Sequence, residues 1–177
     1  TKAILIEYIL LLIGCCMVKV YKDFINEKEI NDLCYWIENN KKHFVNANMG
    51  GNRVTSRFVD TLQYPQIAYT IKDRIEEKLN IKNFNYMAAS CAYPEDYCYL
   101  HKDPKKQNYH TLHCNLFLST VDGGEAYIQK TPTEENIIPF TKGTMLCYCV
   151  SKVYHGSKPL MKDERKMWVY NFSIKDV

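Results

Sequence analysis

The sequence predicts an α+β domain in which two amphipathic helices buttress a C-terminal β-barrel. Three observations carry this. Stretches 26–44 and 65–80 place apolar residues at helical spacing. From residue 84 onward the texture changes to short runs of β-branched and aromatic residues, separated by turn signals. The chain has 177 residues, 46% of them hydrophobic, enough for one sizeable core and too apolar for a disordered segment.

The chain opens on 3-AILIEYILLLIGCCMV-18, apolar except for Glu7. This is short of the roughly 20 apolar residues that a spanning helix needs. It reads as an upstream extension or non-native leader, as a signal or anchor (12-LIGC-15 loosely resembles a lipoprotein cleavage box), or as an integral helix of the fold. The expected organisation is residues 1–16 as an apolar extension and 17–177 as a single domain with its barrel core near 84–174.

From Met17, the run 17-MVKVYKDF-24 alternates and reads as a strand. Asn26 followed by Glu29 gives a capping-box start for the first helix, with Ile30, Leu33, Cys34 and Ile37 on one face. Segment 45–63, with Met49-Gly50-Gly51-Asn52, reads as a loop with a short strand. In the second helix Pro65 falls at an early helical position and Ile67, Ile71, Ile75 and Leu79 mark the buried face. The β region follows as 84-FNYMAASCAY-93, 110-HTLHCNLFLST-120, 125-EAYIQ-129, 136-NIIPF-140, 144-TMLCYCV-150 and 166-KMWVYNFSI-174.

Composition narrows the function classes. Net charge is +3 with Lys interspersed among acids, so no basic stripe marks a nucleic-acid binder. The eight cysteines form no zinc-ribbon spacing, and Cys114, Cys147 and Cys149 lie in apolar runs. They read as reduced core thiols, which points to a cytoplasmic setting, with a membrane or secretory location only if the apolar N-terminal segment is genuine.

The chemistry concentrates in 99-YLHKDPKKQNYHTLH-113, which holds three of the five histidines. In an extended chain residues two apart point the same way, so His101 and Asp103 can converge on one ion. His155 completes the set if its strand end lies beside theirs. Two imidazoles and one carboxylate leave three open positions on an octahedral ion, the arrangement of non-haem Fe(II) oxygenases. Taken alone H-x-D is common, and a solvated loop pair is its plain alternative.

The surrounding pieces form an ordered set. Tyr93-Pro94 precedes His101-Lys102-Asp103; then come 112-LHCNLFLSTVDGGEAYI-128, Lys142-Gly143-Thr144, His155-Gly156 and Arg165 ten residues further on. In this order residues 84–174, about half of the chain, resemble the catalytic core of the 2-oxoglutarate and Fe(II)-dependent oxygenases, particularly the prolyl 4-hydroxylase branch. The resemblance implies a double-stranded β-helix (a jelly-roll, cupin-like barrel) with His101, Asp103 and His155 as catalytic metal ligands. It implies Fe(II), 2-oxoglutarate as cosubstrate and dioxygen, with ascorbate a possible addition. It implies hydroxylation of a C–H bond in a protein or peptide, a peptidyl proline above all, with release of succinate and CO2. A free amino acid or other side chain is the alternative substrate. A non-catalytic jelly-roll module is the alternative class.

A second carboxylate of that cosubstrate, deep in the barrel, requires a charged partner. Alternation on the last strand puts Lys166, Trp168, Tyr170 and Phe172 on one face and Arg165, Met167, Val169 and Asn171 on the other. The aromatic face suits the helices, and the mixed face suits a cavity, so Arg165 is expected to bind the carboxylate and Asn171 to line the same wall. Tyr93 reads either as a hydroxyl donor to the cosubstrate, as the resemblance implies, or as a core tyrosine. His113, Asn115 and Phe117 share a face; if it is inward, His113 and Asn115 contact the cosubstrate. Phe117 departs from the resemblance, because some relatives carry a hydrogen-bonding residue in this neighbourhood. His110 and His113 are not expected as metal ligands. The run 165-RKMWVYNFS-173 lacks the second Arg of the nucleic-acid demethylase branch.

Overall fold

The computed structural model describes residues 11–13, 16–47, 55–57, 63–106 and 108–175, and among these described residues are two α-helices and twelve strands. In chain order these are β1 (Leu11–Ile13), β2 (Cys16–Tyr21), α1 (Glu27–Asn40), β3 (Val45–Ala47), β4 (Thr55–Arg57), α2 (Gln66–Leu79) and β5 (Phe84–Ala92). Then follow β6 (Cys98–His101), β7 (Tyr109–Phe117), β8 (Ala126–Gln129), β9 (Ile137–Ile138), β10 (Met145–Cys149), β11 (Tyr154–Ser157) and β12 (Arg165–Lys175).

Helix α1 begins where the sequence says it should. The Asn26 side chain accepts the Glu29 N–H at 3.0 Å, and the Glu29 carboxylate accepts the Asn26 N–H at 2.9 Å. Its last turn tightens into a 3-10 turn over Lys41–His43. Helix α2 differs in detail from expectation. Pro65 is its N-cap instead of an early helical residue, and its buried face is Ala68, Ile71 and Ile75, with Ile67 and Leu79 half-buried at the margins. Asn80 ends it in the left-handed region, φ 52°, where Asn is tolerated.

The strands build two antiparallel sheets. One has eight strands in the order β1-β2-β10-β7-β12-β5-β4-β3, the other four in the order β6-β11-β8-β9. Strand β12 organises the molecule because its two faces do different work. Trp168, Tyr170 and Phe172 pack outward with Leu33, Ile37, Ile71 and Ile75 of the helices. The Trp168 ring meets Trp36 and Tyr64 at centroid distances of 5.3 and 5.6 Å, and the Tyr170 hydroxyl donates to the Ala68 carbonyl at 2.9 Å. Met167 and Val169 face the other way, into a second core shared with Ile128 of the small sheet. Each such buried side chain contributes about 1.5–3 kcal/mol. The alternation read from the sequence is therefore the alternation of the two cores.

The six described cysteines, Cys34, Cys91, Cys98, Cys114, Cys147 and Cys149, are free thiols. Cys114 and Cys147 stand opposite each other on β7 and β10 in the outer core, where burial pushes the Cys114 thiol well up. Among the described residues no helix is long and apolar enough to cross a membrane.

Part of the N-terminal segment joins the sheet. Leu11–Ile13 pairs with β2, Ile13 opposite Cys16, so the sheet edge does not stop at residue 17. The pairing is a strand pairing, so this part of 1–16 is not helical; the exposed backbone of edge strand β2 is what it satisfies. Residues 1–10, 14 and 15, and the Met49-Gly50-Gly51-Asn52 stretch read as a loop from the sequence, lie outside the described residues.

Candidate metal centre and its cavity

Strands β6 and β11 were not among the runs that periodicity picked out, and they carry the chemistry. His101 is the last residue of β6, His155 the second of β11, and the two are direct cross-strand partners. Their rings lie 4.3 Å apart, centroid to centroid. Asp103 follows in the loop, tied by its N–H to the Val150 carbonyl at 2.9 Å, and its Oδ1 is 3.3 Å from His101 Nε2. One ligand atom from each of His101, Asp103 and His155 falls within 4.8 Å of the others.

Two local features produce this convergence. The β6–β11 register shifts between His155, opposite His101, and Ser157, opposite Cys98. Such an irregularity re-aims side chains, and here Cys98 and His101, three residues apart, both line one cavity. Gly156 lets the strands approach. A Cβ there would sit 2.7 Å from the carbonyl oxygens of both Cys98 and Tyr99.

Both imidazoles are oriented from behind. His101 Nδ1 lies 2.7 Å from the Tyr99 carbonyl, and His155 Nδ1 lies 3.3 Å from that of Val153. A carbonyl only accepts, so Nδ1 carries a proton in each ring and Nε2 is the nitrogen that an ion would take. The side chains of His101 and Asp103 are 36% and 40% exposed, whereas His155 is buried. The trio therefore stands at the mouth of the cavity with one ligand on its inner wall.

Behind it lies a cavity of about 80 Å³ between the sheets. Arg165 reaches into it at 4% exposure. Its Nη1–H donates to the Gly124 carbonyl at 3.0 Å, and its guanidinium lies 5.2 Å from the centre of the Phe140 ring. Gly124 sits at φ +67°, a backbone conformation that favours glycine, and a Cβ there would meet Leu160 at 3.3 Å and Nη1 at 3.4 Å. Lys166 turns the other way, toward α1, where it pairs with Glu38 and lies 3.8 Å from Glu164. Phe117 stacks on Phe140 at 3.8 Å and makes one wall apolar.

The remaining expected residues divide. His113 and Asn115 line the cavity. Tyr93 and Asn171 do not, and both are corrections. Tyr93 lies just past β5, 39% exposed, with its N–H held by the Asp96 carboxylate at 2.9 Å. Asn171 is buried but faces Asn85, whose Nδ2 donates to its Oδ1 at 2.7 Å, and it donates to the Tyr86 hydroxyl. Alternation on β12 holds through Phe172, which lies with Trp168 and Tyr170 in the outer core, but the register against β5 shifts just after Asn171, and Asn85 is set against it there. His110 is buried against Ser151, its Nδ1 2.7 Å from the hydroxyl. Sequence reasoning missed Tyr148, which lines the cavity with its ring 5.2 Å from His155 and 5.9 Å from His113. Alternation of Leu146, Tyr148 and Val150, all in the inner core, was the signal that could have found it.

The donor set fits a divalent first-row ion. It offers two imidazoles and one carboxylate, with solvent access beside His101 and Asp103. The cavity wall also carries the buried guanidinium of Arg165, a group of the type that pairs with carboxylates.

The two sheets, the helices outside them and the site at one end of the small sheet make the double-stranded β-helix fold of the 2-oxoglutarate/Fe(II) oxygenases, in its prolyl-hydroxylase form. No protein-family model and no curated protein sequence matches the chain. Solved structures do. The viral collagen prolyl hydroxylase of Paramecium Bursaria Chlorella virus-1, in complex with 2-oxoglutarate, superposes with a TM-score of 0.70 at 17% identity over 90% of this chain and 99% of its own. A Trichoplax adhaerens prolyl hydroxylase, in complex with a hypoxia inducible factor peptide fragment, gives 0.73 at 12% identity over 88% and 83%. HygX of Streptomyces hygroscopicus, with nickel, 2-oxoglutarate and hygromycin B bound, gives 0.66 at 14% over 88% and 82%.

Proposed function

We propose that this chain is a 2-oxoglutarate- and Fe(II)-dependent oxygenase that hydroxylates a C–H bond, with a peptidyl proline as its substrate. The observation that carries the reading is the convergence of His101, Asp103 and His155 at the mouth of a cavity with a buried arginine in its wall. His101, Asp103 and His155 would hold the iron through Nε2 atoms and a carboxylate oxygen. Arg165 would hold the distal carboxylate of 2-oxoglutarate. Bound there, iron and 2-oxoglutarate supply the oxidising power of an oxidative decarboxylation, in which one atom of dioxygen enters succinate and the other the substrate.

The chain's own residues would do the rest. The carbonyls of Tyr99 and Val153 hold both imidazoles by Nδ1 and aim them. The Phe117–Phe140 wall keeps water from the buried end. The cavity of about 80 Å³ is far below the several hundred cubic ångströms of a pocket that engulfs its ligand. It has room for a small cosubstrate and no more, so the substrate must meet the ion from the exposed side of His101 and Asp103. A peptide side chain presented from outside suits that geometry, in keeping with the peptide held by the Trichoplax neighbour. The hygromycin B complex of another neighbour favours a second reading, a small-molecule substrate on the same fold.

The test is succinate formation from 2-oxoglutarate with Fe(II), and mass gain of one oxygen atom in proline-containing peptides against free proline and aminoglycosides. Succinate with oxygen gained by peptide supports the proposal. Oxygen gained only by a small molecule moves the substrate. Metal binding without any succinate leaves a non-catalytic module.

A further inference from the structure

The inner face of β7 and β10 holds a polar pair that the proposed function leaves unexplained. Asn115 is 8% exposed and lines the cavity. Its Nδ2 donates to the Tyr148 hydroxyl at 3.2 Å, while its Oδ1, wholly buried, has no hydrogen-bond partner. Tyr148 is itself buried and stands between His113 and His155. A buried acceptor left unmade is costly, and native interiors seldom keep one without a reason.

The carboxamide has a second orientation that removes the fault. Turned half a revolution about its last torsion, Oδ1 faces the Tyr148 hydroxyl and accepts its proton, and Nδ2 carries its N–H groups toward the cavity. This orientation is favourable only when the cavity holds something that accepts. A dianionic 2-oxo acid is such a ligand, since all its heteroatoms are acceptors. Phe117, the neighbour of Asn115 on the same face, cannot donate, so on that face the amide of Asn115 is placed to add to Arg165 in reading an anion.

We infer that Asn115 is a cosubstrate-binding donor for the 2-oxo acid, turned toward it by the Tyr148 hydroxyl, and that this pair, with Arg165, sets the site's preference for an acceptor-rich ligand. The inference rests on the proposed reading of the cavity as a 2-oxoglutarate site. Tyr148 acts through Asn115 and is a positioning residue.

The experiment measures 2-oxoglutarate binding by calorimetry in the full chain loaded with Ni(II), which does not turn over, together with melting temperatures with and without 2-oxoglutarate. Asn115→Leu deletes both the orphan acceptor and the donor. Its 2-oxoglutarate affinity should fall about tenfold or more, the worth of a hydrogen bond to a charged group. Its melting temperature without ligand should equal or exceed that of the wild type, because the buried unpaired oxygen is gone. Tyr148→Phe should weaken binding by a smaller factor. Unchanged affinity in Asn115→Leu overturns the inference and leaves the proposed function standing. Unchanged affinity in Tyr148→Phe overturns the positioning role. If Asn115→Leu does not fold, Tyr148→Phe decides, since it removes one oxygen and no volume of consequence. Failure of the wild type to bind 2-oxoglutarate overturns the proposed function instead, and this inference with it.

Discussion

At the scale of single residues, three side chains define the centre and one defines its depth. Replacing His101, Asp103 or His155 with Ala should abolish iron-dependent turnover and lower metal content after dialysis, with a melting temperature within a few degrees of the wild type. Two of the three are exposed at the mouth, so their loss leaves little cavity behind. Full activity in His155→Ala would overturn the trio. Arg165→Ala should raise the apparent 2-oxoglutarate constant about a hundredfold or more, because a buried carboxylate loses its partner at about 3–5 kcal/mol. Lys166→Ala should leave that constant alone. Lys166 faces Glu38 and Glu164 beside α1, so its loss should appear in stability, at about 1 kcal/mol or less. The opposite pattern in titrations of the two variants would mean that the first residues of β12 are turned over.

At the scale of elements, the β6–β11 crossing and the α1–α2 contact each give a test. Gly156→Ala would push a methyl group against two backbone carbonyls at 2.7 Å. The strands must separate, and His101 and His155 separate with them. Metal affinity should fall at least tenfold although no ligand is changed, the scale seen when a ligand's supports are lost; unchanged affinity would show that the bulge, not the close approach, sets the ligand spacing. Between the helices, the Arg74 guanidinium donates to the buried Glu29 carboxylate, with one contact at 3.2 Å. That hydrogen bond, with the Asn26 N–H, outweighs burial and holds the Glu29 carboxyl below its usual range. A depressed acid contributes stability above its unfolded pKa and loses it as pH falls through the folded one. Glu29→Gln should therefore be less stable than the wild type at neutral pH, by about 1–2 kcal/mol. The two should converge in acid, below the lowered Glu29 value. A constant gap across that range would assign the effect to helix capping alone.

For the whole molecule, the edge of the large sheet bears on the apolar N-terminal segment. Strand β2 is held by β10 through Met145 opposite Tyr21, Leu146 opposite Val20, Cys147 opposite Lys19 and Tyr148 opposite Val18, independently of β1. Removing residues 1–13 should leave a folded, metal-binding domain whose melting temperature drops by only a few degrees; loss of the cooperative transition would show that the segment packs into the core. The two helices, the capping box, the long strands β5, β7, β10 and β12 and the assignment of Arg165 to the cavity were legible in the sequence. Each is local: helical spacing, a side chain three residues from its partner, or strict alternation over several residues. The candidate ligands were legible as types, since His and Asp two apart share a side of an extended chain. What the tertiary structure alone decided is non-local. It put His155 opposite His101 through pairing of two four-residue strands too short to show a period. It set Asn85 against Asn171 where the β5 register shifts, and left Tyr93 at the surface just past the end of its strand. It brought Tyr148 beside Asn115 and His155 from a run that reads only as core. Periodicity states which face a residue occupies, and only strand pairing states what stands across from it.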